Sequence, residues 1–262
     1  MTMAKDSRRM TVGGIDIEVL LGGSGKPVLL LHGFQTIGPE APFLSELAKH
    51  CSYVAPSLPG FGASMRPKDF DTVYDLVHHT LDLIDAMAGE KITLIGFSFG
   101  GWLAAEAAVV RPAKLDRLIL VDPVGIRISD RETRDILDIF NVHPDLVREK
   151  TFHDPKCFAP DFDAMEDAEL VTYARNRDTL CLYTWNPLLY NPQLKGWLRR
   201  INVPTLVLWG AFDGIVSPDY GRTYAKLIPG ARFELIANAG HQPEIEQPAS
   251  FIRHVAAFMI GG

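Results

Sequence analysis

Three residues of the chain have types and surroundings suited to nucleophilic chemistry. Gly96-Phe97-Ser98-Phe99-Gly100-Gly101 matches G-x-S-x-G and lies where an apolar run, Lys91 to Gly96, gives way to a helical pattern from Trp102 to Val110. A serine at the apex of so sharp a strand-to-helix turn needs neighbours without side chains, and Gly96 and Gly100 supply the room. Its hydroxyl is a weak nucleophile at neutral pH, so it needs a base, and the base needs an orienting carboxylate. Asp213, in Trp209-Gly210-Ala211-Phe212-Asp213-Gly214, and His241, in Asn238-Ala239-Gly240-His241-Gln242-Pro243, each follow a short apolar run. They occur in the order serine, acid, histidine. Taken singly, a serine beside glycines caps a helix, a loop Asp before Gly is a turn residue, and a loop His is solvated. Their joint placement predicts acyl transfer, with Ser98 as nucleophile, His241 as base and then acid, and Asp213 orienting it.

A fourth element is His32-Gly33-Phe34, after the apolar run Pro27 to Leu31. Glycine lets the backbone turn so that the amide of Phe34 and that of Phe99 face one point, an expected oxyanion hole in which losing one donor costs about 100- to 1000-fold in rate. His32 itself is expected to brace its loop through hydrogen bonds. Asp122, at the end of Leu118 to Val121, is a rival acid; Asp213 is preferred because Asp122-Pro123 equally suits a turn.

The elements that must position these residues follow from periodicity. Ile15–Leu21, Pro27–Leu31, Cys51–Ala55, Lys91–Gly96, Leu118–Val121, Val203–Trp209 and Arg232–Ile236 read as strands. Helical patterns cover Ala41–His50, Thr72–Met87, Trp102–Val110, Tyr220–Leu227 and Pro248–Met259. Strands alternating with helices at this cadence predict an α/β fold with a mostly parallel central sheet flanked by helices. The rhythm breaks after the strand that ends at Asp122. The predicted organisation is a core of residues 1–123 and 201–262 with a helical cap at 124–200, dense in aromatic residues. Of these, Phe140, Tyr183 and Trp185 are candidates to line a substrate pocket, against the alternative that they form the cap's own core.

Composition narrows the function classes. The 262 residues are 47% hydrophobic and 22% charged, with a net charge of -6 and no basic stripe to neutralise phosphates, so nucleic acid is not an expected partner. The apolar stretches are too short for a bilayer span of about 20 residues, and Met1–Met10 has no apolar run after it to act as a secretion signal. A cytoplasmic location is the expectation. Cys51, Cys157 and Cys181 lack metal or disulfide spacing and are expected as buried or half-buried free thiols. No metal and no cofactor is expected.

Leu30-Leu31-His32-Gly33-Phe34, Pro59-Gly60-Phe61-Gly62, the motif around Ser98, Trp209-Gly210 with Asp213, and Ala239-Gly240-His241 together resemble the alpha/beta-hydrolase fold family, from about residue 10 to 260 outside the cap. The resemblance implies the same roles for Ser98, His241, Asp213, Phe34 and Phe99. The chain departs from many relatives in carrying Ser57 where they carry Asp, at a position taken as structural. Relatives that open epoxides or remove halide use Asp as nucleophile, which Ser98 argues against. The expected reaction is hydrolysis of a small or medium apolar ester through an acyl-enzyme. Two alternatives use the same three residues. One is carbon–carbon bond hydrolysis of a ring-fission product, since Gly38-Pro39 resembles, at looser spacing, the Gly-Pro of such enzymes. The other is cofactor-free perhydrolysis. A reading of another class is a non-catalytic small-molecule receptor, which has no need to keep base, acid and oxyanion loop together.

Overall fold

The apolar runs of the sequence become strands buried on both faces, and their alternate residues feed two separate apolar layers. In β3 (Pro27–Leu31), Leu29 and Leu31 enter one layer and Val28 and Leu30 the other. The same alternation holds in β5 (Ile92–Phe97), β6 (Leu115–Val121) and β7 (Thr205–Gly210). The computed structural model describes residues 6–130 and 132–260; Met1–Lys5, the start of the stretch tested for a secretion signal, lie outside them. With β1 (Asp6–Val12), β2 (Ile15–Gly23), β4 (Ser52–Pro56) and β8 (Arg232–Ile236), the strands form one eight-stranded sheet in the order β1-β2-β4-β3-β5-β6-β7-β8. β1 pairs antiparallel with β2 and β2 with β4; the other neighbours are parallel.

Helices α1 (Leu44–Leu47), α2 (Val73–Ala86) and α3 (Phe99–Val110) follow β3, β4 and β5 in the chain. Four helices separate β6 from β7: α4 (Pro144–Thr151), α5 (Pro155–Phe158), α6 (Asp167–Thr184) and α7 (Leu194–Trp197). Then come α8 (Pro218–Lys226), α9 (Pro243–Glu246) and α10 (Pro248–Ile260). α2, α3 and α8 bury their apolar stripes in one layer, while α1 and α10 bury theirs in the other. The chain steps from β3 to β4 on one side and returns to β5 on the other. The exits of β3 and β5 therefore flank the point where strand order reverses, the place where open sheets of this kind form a crevice. Ser98 and the His32–Phe34 turn both lie there.

Several expectations change. β1 pairs all along β2 but was not legible as a strand. The helix expected over Ala41–His50 is regular only at Leu44–Leu47 and is otherwise turns. Between β6 and β7 the chain is helical only from Pro144 onward. Cys51 is buried and Cys181 half-buried as expected, but Cys157 is exposed, because α5 has no buried residues. No helix among the described residues is long and apolar enough to cross a membrane.

Candidate active site

Ser98 stands between β5 and α3 with φ 48° and ψ -110°, a backbone conformation that L residues rarely adopt. The fold holds it there through three backbone bonds. Ser98 N donates to Val121 O at 2.8 Å, and Ser98 O accepts from Trp102 N at 3.1 Å and Val124 N at 3.3 Å. The flanking glycines are a steric necessity. A Cβ on Gly96 would lie 2.3 Å from Gly100 O, and one on Gly100 would lie 2.2 Å from Leu31 O.

The loops after β7 and β8 bring in the other two residues. His241 Nε2 lies 2.8 Å from Ser98 Oγ, and His241 Nδ1 lies 2.7 Å from Asp213 Oδ2. The second oxygen of Asp213, Oδ1, accepts from Ile215 N at 2.8 Å and Val216 N at 3.0 Å, which fixes the carboxylate's orientation. The histidine loop is pinned from the β6–β7 segment: His241 N donates to Thr151 O at 2.6 Å. Glu246 ties the same two parts together, accepting from Gly240 N at 2.5 Å and Asp154 N at 3.0 Å.

Asp122 is close to this group but differently held. It is fully buried, its Oδ1 accepts from Gly210 N at 2.9 Å, and its Oδ2 has no hydrogen-bond partner among the described residues. Burial first, and then the charge of Asp213, push its carboxyl well above the usual carboxylate range, so the neutral acid is favoured. Asp122, Asp213 and His241 bring one ligand-type atom each to within 4.8 Å of one another. Asp213 and His241 are already bonded to each other, an arrangement suited to orienting an imidazole and less to gripping a cation.

The Ser98 hydroxyl opens into a cavity of about 150 Å³. Gly33, Phe34 and Phe99 are among its walls. Phe99 opens α3, so its amide is one of those that a helix leaves without an internal acceptor. Apolar side chains from the β6–β7 segment, Ile136, Ile139, Val147, Leu180 and Leu189, line much of it together with Ile215 and Ile245.

The three aromatic candidates from the sequence do not line this cavity. Tyr183 is 5% exposed, its hydroxyl donates to Pro59 O at 3.2 Å, and its ring stacks on Phe61, because α6 presses on the Pro59–Gly62 turn. Trp185 follows the end of α6 and is 65% exposed, beside a surface groove shared with Tyr74 and Trp102. Phe140 packs against the main apolar layer, and its carbonyl accepts from Arg177. Density of aromatics indicated neither which of them are buried nor which cavity they face. Sequence reasoning also passed over Glu244, a buried carboxyl on the wall of the Ser98 cavity.

The alpha/beta hydrolase family model matches residues 28–254. A 2-hydroxy-6-oxo-6-(2'-aminophenyl)hexa-2,4-dienoic acid hydrolase of Metapseudomonas resinovorans is similar, at 28% identity over 268 residues covering 96% of this chain and 90% of that protein. A 2-hydroxy-6-oxo-2,4-heptadienoate hydrolase of Pseudomonas putida is 27% identical over 278 residues, 98% of this chain and 97% of that protein. Among solved structures, a meta-cleavage product hydrolase from Pseudomonas fluorescens has a TM-score of 0.78 at 22% identity, covering 97% of each chain. With the sheet order, the strained serine turn and the matched span in agreement, the chain belongs to the alpha/beta hydrolase family and is a hydrolase.

Proposed function

We propose that Ser98, His241 and Asp213 are nucleophile, base and orienting acid toward a carbonyl flanked by an apolar group, and that the bond broken is the carbon–carbon bond of a ring-fission product. The observation that carries the first part is the continuous chain of hydrogen bonds Ser98–His241–Asp213 at 2.8 and 2.7 Å, opening into an apolar cavity. The relatives support the second part, since those named above hydrolyse hexa- and heptadienoates, and they favour it over the ester expected from the sequence. In this reading residues 124–200 cap the core formed by 1–123 and 201–262.

Ser98 Oγ bonds to the carbonyl carbon while His241 takes its proton, and the amides of Phe34 and Phe99 hold the oxyanion. Once the enol proton of such a substrate has moved to the carbon beside the scissile carbonyl, giving the 2-oxo tautomer, collapse of the tetrahedral intermediate breaks the bond to that carbon, and its electron pair passes into a conjugated dienolate that His241 protonates. Water then attacks the acyl-serine, His241 accepts the water's proton, the acid is released and Ser98 regains its hydrogen. No step calls for a metal or cofactor.

A second reading, ester hydrolysis, is favoured by one feature of the cavity. Among the described residues its lining contains no Lys or Arg to partner the carboxylate of a dienoate, and a neutral ester needs none. One experiment separates these. Purified protein is assayed against 2-hydroxy-6-oxo-6-phenylhexa-2,4-dienoate and p-nitrophenyl butyrate, with Ser98→Ala and a fluorophosphonate probe alongside. The carbon–carbon reading expects the higher kcat/KM on the dienoate, and the reverse order gives the role to esters. Undiminished turnover in Ser98→Ala sinks both, and refusal of the probe by folded protein favours a receptor.

A further inference from the structure

Two glutamates of α9 lie two residues apart and are held in opposite ways. Glu246 is buried with both carboxyl oxygens bonded to backbone amides, Oε1 to Asp154 and Oε2 to Gly240, which accounts for it as a brace. Glu244 is 8% exposed and its Oε2 has no hydrogen-bond partner among the described residues. Leaving a buried polar group unpaired is destabilising, a cost that an apolar residue at 244 would avoid. Glu244 lies on the wall of the Ser98 cavity, three residues beyond His241. Apart from His241, it is the single ionisable side chain among the described lining residues; the other walls are mostly apolar, including Phe43, Phe97 and Ile245. It is not part of the serine–histidine–aspartate chain, because Asp213 already occupies His241 Nδ1.

Resting on the reading of Ser98 as nucleophile, we propose that Glu244 is the polar anchor of the substrate cavity, accepting the N–H or O–H of an amino or hydroxyl substituent on the group beside the scissile carbonyl. A carboxyl suits this task whether or not it is ionised, since each form keeps an acceptor oxygen. Burial pushes the Glu244 carboxyl up to about 7, against a hydrogen bond from its own backbone amide and the nearby His241, which lower it, while Glu246 raises it and Asp122 is also within electrostatic reach. The cavity thus combines apolar area for the body of a substrate with a carboxyl acceptor that distinguishes donor-bearing substrates from bare hydrocarbon ones.

The test uses unreactive ligands and protein in which Ser98 is replaced by Ala, so turnover is not needed. Calorimetry compares acetophenone with its 2'-, 3'- and 4'-amino derivatives, in Ser98→Ala protein and in the same protein carrying Glu244→Leu or Glu244→Gln. One amino isomer is expected to bind about tenfold more tightly than acetophenone, the fold-change of one net hydrogen bond. Glu244→Leu is expected to bring the ratio to within about twofold, and Glu244→Gln, which keeps an acceptor, to retain part of it. Equal binding of all four ketones with Glu244 in place, binding of none of them, or a preference that survives in Glu244→Leu overturns the proposal. The first two outcomes decide the matter even where the Leu variant fails to fold. Failure of the reaction reading is detected separately, by unlabelled Ser98 and unchanged hydrolysis in the Ser98→Ala protein.

Discussion

The imidazole of His32 accepts a hydrogen bond from the amide of Leu58 at 3.0 Å, clamping the loop after β3 to the loop after β4. Since Nε2 accepts, the proton sits on Nδ1, which lies 2.9 Å from Gly33 O. Protonation of Nε2 would break the clamp. Burial accordingly lowers the pKa of His32 to about 4. The unfolded ring takes up its proton near pH 6.5, before the folded one, so stability falls as pH drops from about 6.5 toward 4, by up to about 3 kcal/mol. His79, also buried and also lowered to about 4, adds loss over the same window. Thermal unfolding followed from pH 7.5 to 4.5 is expected to fall less steeply in His32→Gln than in the parent, even though the variant starts lower. Parallel curves would refute the clamp.

The serine turn makes a second expectation about backbone approach. A methyl group on Gly100 meets Leu31 O at 2.2 Å and His32 O at 2.4 Å, both backbone atoms that cannot swing aside. Gly100→Ala is expected to cost about 3 kcal/mol or more, or to prevent folding. Gly196 in α7 has nothing within 4 Å of its added Cβ, and Gly196→Ala is expected to be neutral or stabilising by about 0.5 kcal/mol. Circular dichroism melts of the two variants give the comparison, and a Gly100→Ala protein that melts with the parent contradicts the packing argument.

What was legible in the sequence was whatever burial on both faces writes into it. β3, β5, β7 and the Leu118–Val121 part of β6 are largely apolar runs, and each is followed within three residues by His32, Ser98, Asp213 or Asp122. β1 was not legible, because Asp6-Ser7-Arg8-Arg9-Met10-Thr11-Val12 is a solvated edge strand whose register comes from pairing with β2. Tyr183 and Trp185 lie away from the Ser98 cavity, Tyr183 because α6 docks on the Pro59–Gly62 turn, a tertiary fact. Glu244 left no signal either. An acidic residue in the first turn of a helix reads as a solvated partner of the helix dipole, whereas here the tertiary structure buries it.

Asp122 and Asp213 make opposite predictions. Asp213→Asn leaves His241 facing an amide and is expected to lower kcat by about 10⁴. Asp122→Asn keeps an oxygen for Gly210 N and, because Asp122 already favours its neutral form, is expected to change kcat by less than about tenfold. Steady-state rates on whichever substrate the parent turns over decide this. Were the two losses interchanged, Asp122 would be the working acid.

Glu244 has a pH dependence of the opposite sense to His32. Its carboxyl is pushed up to about 7 in the folded protein from an ordinary value of 4.5, so between those values the folded state holds a proton that the unfolded state has lost. That contribution to stability is complete below about 4.5 and fades as pH rises through 7, to a loss of about 3 kcal/mol. Glu244→Gln carries no charge at any pH and escapes the loss. The variant is therefore expected to melt close to the parent at pH 5 and several degrees above it at pH 8.5. The changes at His32 and His79 are common to both proteins and cancel in the difference. A gap between the two melting temperatures that stays constant from pH 5 to 8.5 would mean that the buried carboxyl remains neutral, or finds a partner, throughout.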